Sequence, residues 1–279
     1  VDEPALRPGL NRLAAAGYQL RVAPHVYHRL DYLAGSDEER LEDLHAMFRD
    51  KSIHAILCAR GGYGTLRLLQ KIDYDMIKER PKIVVGFSDI TALLTALYER
   101  AGLVTFHGPT VRELASGDDK NFDDLLGRLS SRAPLRIQLD GGVALRPGHA
   151  TGTLLGGNLS LLTHLIGTPF FPSLEGSILF FEDRGEPLYR IDRMLTHLCM
   201  SGRLRGLSAV ILGQFEECGD VSALESLVAD RFSDFHIPIV TGLPVGHGRY
   251  NRTLPIGLSA ELDTDEMTLS ISEGCFAAP

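Results

Sequence analysis

Along the first third of the chain, short apolar runs alternate with longer segments whose apolar residues return every three or four positions. The run "YQLRVA" (18–23) reads as a strand. "SDEERLEDLHAMFRD" follows, opening on Ser36 with Glu39 three residues on, the reciprocal pair that satisfies the free amides of a helix start. "IHAILCA" (53–59) predicts a buried strand, "RGGYG" (60–64) a glycine-rich turn, and "KIVVG" (82–86) another buried strand after a short helix. In "ITALLTALYER", Ile90, Leu93, Leu94, Leu97 and Tyr98 fall on one helical face, which predicts an amphipathic helix. β-branched runs separated by helices imply right-handed crossovers and a mainly parallel sheet.

Beyond about residue 115 the texture changes. "ELASGDDKNFDD" is polar, and "RAPLRIQLDGGVALRPGHATG" sets Pro and Gly around short alternating strands, as a connection between domains does. The expected division is an α/β domain over 1–133, a linker over 134–150 and a mixed α/β domain over 151–279. The last holds "NLSLLTHLI" as a helix, "SILFFED" (177–183) and "SAVILGQF" (208–215) as strands, two more helices, and closing strands near "LPIGLSAEL" and "EMTLSIS".

Composition narrows the function. A length of 279 residues favours two domains, and 44% hydrophobic with 23% charged residues is ordinary globular usage. The net charge of −8, with its acids spread along the chain, leaves no basic footprint for nucleic acid or an anionic membrane. The longest apolar runs fall far short of a membrane span. Cys58, Cys199, Cys218 and Cys275 show no C-x-x-C spacing, so free thiols and a cytoplasmic location are expected. A leader removed ahead of "VDEPALRPG" is the alternative.

Only Phe87, Ser88 and Asp89 separate the strand "KIVVG" from its helix, so Ser88 sits at a carboxyl strand end, where open α/β sheets place ligands. Amides of the first helical turn point to the same spot and can meet a developing oxyanion. Ser and Asp are also favoured helix caps, and from this stretch alone capping is the stronger reading. The hydrolase pattern G-x-S-x-G fails because Ile90 replaces its second glycine. Among ten histidines, His247 in "LPVGHGRYNRTLPIG" stands between glycines in a loop suited to a reaching imidazole. The pair in "HVYH" (25–28) lacks an accompanying carboxylate motif and is a weak metal signal. "SILFFEDRGEP" supplies a strand-end acid; Glu182 and Asp183 face opposite ways, Glu186 is a third choice, and spacing does not decide among them. "RGGYG" lacks the G-K-[ST] of a phosphate loop, but its glycines allow backbone amides close to a substrate carbonyl.

Together, "ARGGYGTLRLL", "GFSDITAL", "GTLLGGNLSLL", "FFEDRGEPLYRIDRMLTHL" and "GHGRYNRTLPIG", in that order, resemble the LD-carboxypeptidase family of serine peptidases, which includes murein tetrapeptide carboxypeptidases and microcin C immunity hydrolases. The resemblance implies a flavodoxin-like parallel-sheet N-terminal domain, a smaller mixed α/β C-terminal domain and a homodimer. It implies Ser88 as nucleophile, Glu182 as orienting acid and His247 as general base, with Gly62 and Asp89 amides as the oxyanion hole. Gly61, Tyr63 and Asn158 are expected at the substrate, Asn158 also as a helix cap, and Arg60, Arg184 and Arg193 are candidates for its carboxylate. The implied reaction removes a terminal D-alanine from a murein tetrapeptide without metal or cofactor. Family members place a strand and a small-residue loop ahead of the helix that here starts near Pro8; this chain lacks them, which points to a trimmed or incomplete start. Rival readings are hydrolysis of peptidyl or aminoacyl nucleotides and, from another class, a two-lobed binding protein in which Ser88 only caps.

Overall fold

The computed structural model describes residues 1–115, 119–131 and 133–272. After α1 (Glu3–Ala15), α2 (Asp37–Arg49) starts as its sequence predicts: Ser36 Oγ accepts from the Glu39 amide at 3.2 Å, and Glu39 Oε2 accepts from the Ser36 amide at 2.8 Å. β1 (Ala55–Leu57), α3 (Tyr74–Glu79), β2 (Ile83–Gly86), α4 (Thr91–Ala101) and β3 (Thr105–His107) then alternate, and the three strands pair in parallel. Residues 18–23 form no strand. Tyr18, Leu20 and Val22 remain exposed, and without a neighbouring strand to satisfy its amides and carbonyls the run has nothing to pair with.

α5 (Val111–Leu114) and α6 (Asp119–Ser130) complete the first half. The stretch 134–150, expected as a linker, instead supplies β4 (Leu135–Gln138) and β5 (Ala144–Arg146) to the two flanks of a second sheet. In β4 the sequence alternation is the cause: Leu135 and Ile137 are buried while Arg136 and Gln138 face solvent. The remaining elements are β6 (His149–Asn158), α7 (Leu159–Leu165), β7 (Ser177–Arg184), α8 (Leu188–Met200), β8 (Ala209–Glu216), α9 (Val221–Arg231), β9 (Ile239–Val240), β10 (Leu254–Ile256), β11 (Ser259–Asp263) and β12 (Thr268–Ile271).

Strand order in the second sheet is β4-β12-β11-β6-β7-β8-β9-β5, parallel from β6 to β9 and antiparallel on either side. β10 crosses back to pair antiparallel with β3, giving a first sheet of order β1-β2-β3-β10. The protein is thus mixed α/β, with one largely parallel sheet and one mixed sheet.

α4 is the hinge of the packing. Its spacing predicts one apolar face, yet every residue from Thr91 to Leu97 is buried. On the side the periodicity leaves polar, Thr91 Oγ1 accepts from the Asn158 amide at 3.0 Å and Thr95 lies beside Leu155, Gly156 and Leu162, so β6 and α7 close over the helix, which also packs on β2 and β3 of the first sheet. Gly157 makes room for this approach: a Cβ there would lie 2.5 Å from Thr91 Cγ2. One apolar core therefore runs from Phe48, Leu94 and Leu97 through Leu155 to Phe180, Phe181 and Ile211. Leu13, Val85, Phe106, Leu114 and Leu125 form a smaller core on the far face of the first sheet.

No helix of the described residues is long and apolar enough to cross a membrane. Cys58, Cys199 and Cys218 are free thiols. Cys275 lies outside the described residues.

Candidate active site

The buried run of β2 ends at Gly86, and Phe87 is still extended. Ser88 then turns the chain with φ 62°, in the left-handed region that side chains other than glycine rarely enter. A single 3-10 turn over Ser88–Ile90 leads into α4. Ser88 makes no side-chain bond to the helix amides, so its hydroxyl caps nothing; Oγ instead lies 3.1 Å from His247 Nε2. Gly61 allows the "RGGYG" loop to lie against this hydroxyl, since a Cβ on it would stand 3.1 Å from Ser88 Oγ and 2.9 Å from Ser88 Cβ. Asp89 turns its buried carboxylate to Thr65, accepting from the amide at 3.0 Å and from Oγ1 at 2.6 Å. The exit of the glycine loop is thereby fastened to the turn after Ser88.

β7 carries a buried side chain at every position from Ser177 to Asp183, an arrangement that a central strand covered on both faces requires. Strand alternation sends its last two buried acids apart. Glu182, with no solvent exposure, puts Oε2 2.6 Å from His247 Nδ1. Asp183 points the other way and accepts from Asn158 Nδ2 at 3.0 Å, the Ser160 amide at 2.9 Å and Ser160 Oγ at 2.7 Å. Glu186 lies near Arg190, at 3.5 Å. Of the three acids that the sequence leaves open, Glu182 is the one against the imidazole. Asn158 caps α7 by accepting from the Leu161 amide at 3.1 Å, so both ends of its buried side chain are engaged. Tyr63 is exposed, with its ring 5.7 Å from that of Tyr32.

His247 lies in a segment without regular structure between β9 and β10. Side chains from remote elements hold that segment. Asn251 Oδ1 accepts from the Gly246 amide at 2.9 Å, and Gln214 of β8 accepts from the Gly248 amide at 3.0 Å while donating to the Tyr250 carbonyl at 3.1 Å. Asn121 of α6 accepts from the Asn251 amide at 2.8 Å and donates to the Arg249 carbonyl at 3.1 Å. Phe87 packs on the imidazole with ring centroids 4.9 Å apart. Sequence reasoning misses all four of these residues. Only Gln214, a polar residue near the end of an otherwise apolar strand, leaves a trace in the pattern.

The electrostatics follow from burial and pairing. Burial works against a charged His247, but the hydrogen bond and negative charge of Glu182 outweigh it and hold the imidazole pKa above its usual 6.5. Burial pushes the Glu182 carboxyl upward, and the His247 contact opposes that push. His107, wholly buried between Phe87 and Phe180, is driven down to about 3 and stays neutral, so it adds no second positive charge beside His247. Elsewhere, His25, His28 and Glu39 bring possible metal-ligand atoms within 4.8 Å of one another, and the two imidazoles bond to Asp43 and Glu39 at 2.8 and 3.0 Å.

A hydroxyl against an imidazole that is itself held by a buried carboxylate is the arrangement needed for acyl transfer through a serine. Comparison with known proteins adds the family. Residues 1–108 match the LD-carboxypeptidase N-terminal domain and residues 151–262 the LD-carboxypeptidase C-terminal domain. The chain is 39% identical to the probable murein peptide carboxypeptidase of Bacillus subtilis, over 98% of this chain and 88% of that protein. The crystal structure of muramoyltetrapeptide carboxypeptidase from Oxalobacter formigenes superposes with a TM-score of 0.86 at 32% identity, covering 100% of this chain and 97% of the other. An MccF-like protein from Bacillus anthracis gives a TM-score of 0.91 at 29% identity over 98% and 92%. The chain belongs to the LD-carboxypeptidase family, and it is a peptidase of the carboxypeptidase type.

Proposed function

We propose that Ser88, Glu182 and His247 act as a serine-hydrolase triad that releases the terminal D-alanine from murein tetrapeptides during cell-wall recycling. The observation that carries this reading is the unbroken line from Ser88 Oγ through His247 to Glu182, at 3.1 and 2.6 Å. Neutral His247 donates Nδ1–H to Glu182 and accepts the Ser88 proton at Nε2. Ser88 Oγ attacks the carbonyl that joins an L-centre to D-alanine, and the oxyanion rests on the amides of Asp89 and Gly62. Collapse breaks the C–N bond, with the leaving amine taking its proton from His247. Water, deprotonated by the same imidazole, then releases the acyl group from Ser88. Gly61 and Tyr63 flank the substrate, while Asn158 serves the site by fixing β6 and α7 rather than by offering a free group.

The same reading assigns the nucleophile to a unit over 1–133 and the acid and histidine to a unit over 151–279. It also makes the protein a cytoplasmic homodimer, on the strength of the family resemblance. Light scattering of the purified protein tests the dimer.

Incubation with the murein tetrapeptide and mass spectrometry of the products tests the reaction. Release of D-alanine by the wild type, lost in Ser88→Ala, is expected. The exposed Tyr32–Tyr63 pair favours one second reading, because it is a surface on which the base of a peptidyl or aminoacyl nucleotide could stack. Turnover of such a conjugate with the tetrapeptide left intact would establish that reading instead. A fluorophosphonate that labels the wild type and not Ser88→Ala excludes a purely ligand-binding role.

A further inference from the structure

An exopeptidase has to recognise a chain end, and the end this reaction removes carries a carboxylate one residue past the scissile bond, about 3.8 Å of chain further on. Water-exposed recognition of a carboxylate calls for a cation near the nucleophile that no acid of the protein already occupies. Several arginines are spent: Arg40 and Arg67 on Asp37, Arg184 on Glu217, Arg252 on Asp124. Arg193 lies over the Tyr189 ring, 5.5 Å from its centroid.

Arg60 differs from all of these. It opens the glycine loop, is exposed, and pairs with no carboxylate of the described residues; Nε donates to the carbonyl of Gly61 at 3.0 Å. That bond lays the guanidinium along Gly61 and Gly62. The direction in which a Gly62 Cβ would project ends 3.7 Å from both Nε and Nη2, while that of Gly61 ends 3.1 Å from Ser88 Oγ. The guanidinium therefore stands one glycine removed from the hydroxyl, on the loop that also offers the Gly62 amide. One donor fixes its orientation and the Nη donors remain for a planar, bidentate partner.

Resting on the carboxypeptidase reading above, we infer that Arg60 binds the terminal carboxylate of the substrate and so confines the enzyme to chain ends. The test compares the tetrapeptide with its C-terminal carboxamide for the wild type, Arg60→Lys and Arg60→Ala. On the free acid, kcat/KM should fall about 10- to 100-fold in Arg60→Ala, mainly through KM, and by less in Arg60→Lys. On the carboxamide the three proteins should be alike. Equal losses on both substrates, or no loss on either, would overturn the assignment. Failure of the wild type to cleave the tetrapeptide would count against the reaction itself, and in that case a second measurement still decides on Arg60. The free-acid tetrapeptide should slow fluorophosphonate labelling of the wild type more than the carboxamide does, and this preference should vanish in Arg60→Ala; an unchanged preference would refute it.

Discussion

The two halves of the Ser88–His247 contact are held in place by different means. Ser88 is positioned by backbone: a buried strand, one residue at φ 62° and a helix buried from Thr91 to Leu97 leave its hydroxyl a single direction. His247 is positioned by side chains, because its segment has no ladder of its own and hangs on Asn121, Gln214 and Asn251. The nucleophile depends on neighbours in sequence, the base on a segment whose bonds reach across as many as 130 positions, from Asn251 to Asn121. A strained local turn resists small perturbations, whereas a loop held by a few hydrogen bonds is sensitive to each of them.

Five sets of variants press on this contrast, in decreasing order of effect. Ser88→Ala should lower kcat by about 10⁴-fold or more. Ser88→Gly should be equally inactive yet more stable by about 1–3 kcal/mol in denaturant unfolding, because glycine relieves the positive φ; no gain would mean that the turn stores no strain. Glu182→Gln should cost about 10³- to 10⁴-fold in kcat/KM and change the pH profile. Only neutral His247 can take the Ser88 proton, and its pKa is raised, so wild-type activity should fall as pH drops through a midpoint above 6.5. Without the carboxylate the midpoint should move down; an unmoved acid limb would show that Glu182 does not set it.

Asn251→Ala and Gln214→Ala should each lower kcat about 10- to 100-fold by loosening His247, and the double variant should lose less than the product of the two. Multiplicative losses would indicate that the two amides act on separate parts of the segment. Gly102→Ala provides the smallest effect. Gly102 ends α4 at φ 65° with open space around its missing Cβ, so the change should cost about 1 kcal/mol of stability and leave kcat/KM as it was. A large activity loss there would show that the far end of α4 also tunes Ser88.

The contrast also explains what could be read in advance. The capping box of α2 and the helix of α4 were legible because the groups that make them lie within a turn or two of one another. The run 18–23 has strand-like residues and misleads, since a strand exists only where another strand pairs with it. Residues 134–150 carry linker punctuation, yet distant partners draw β4 and β5 into the sheet. Alternation alone shows that Glu182 and Asp183 part ways; which of them meets His247 depends on the other side of β7, where Asn158 and Ser160 take Asp183. Gln214 leaves only the faint trace of a polar residue in an apolar strand, and Asn121 and Asn251 leave none, because a side-chain amide looks the same in sequence whether it faces water or clamps a backbone.

The α/β class, the capped start of α2, the strand-to-helix corner at Ser88 and the order of the motifs shared with the family follow from the residues alone, since each rests on short-range periodicity or on local identity. Tertiary structure decided that β10 returns to the first sheet, that α4 is buried on both sides, and that a buried Glu182, a side-chain-tethered His247 and Ser88 meet within hydrogen-bonding distance. Those outcomes depend on which apolar faces find each other and which polar groups lose their water. Both are properties of the packed chain and of no segment within it.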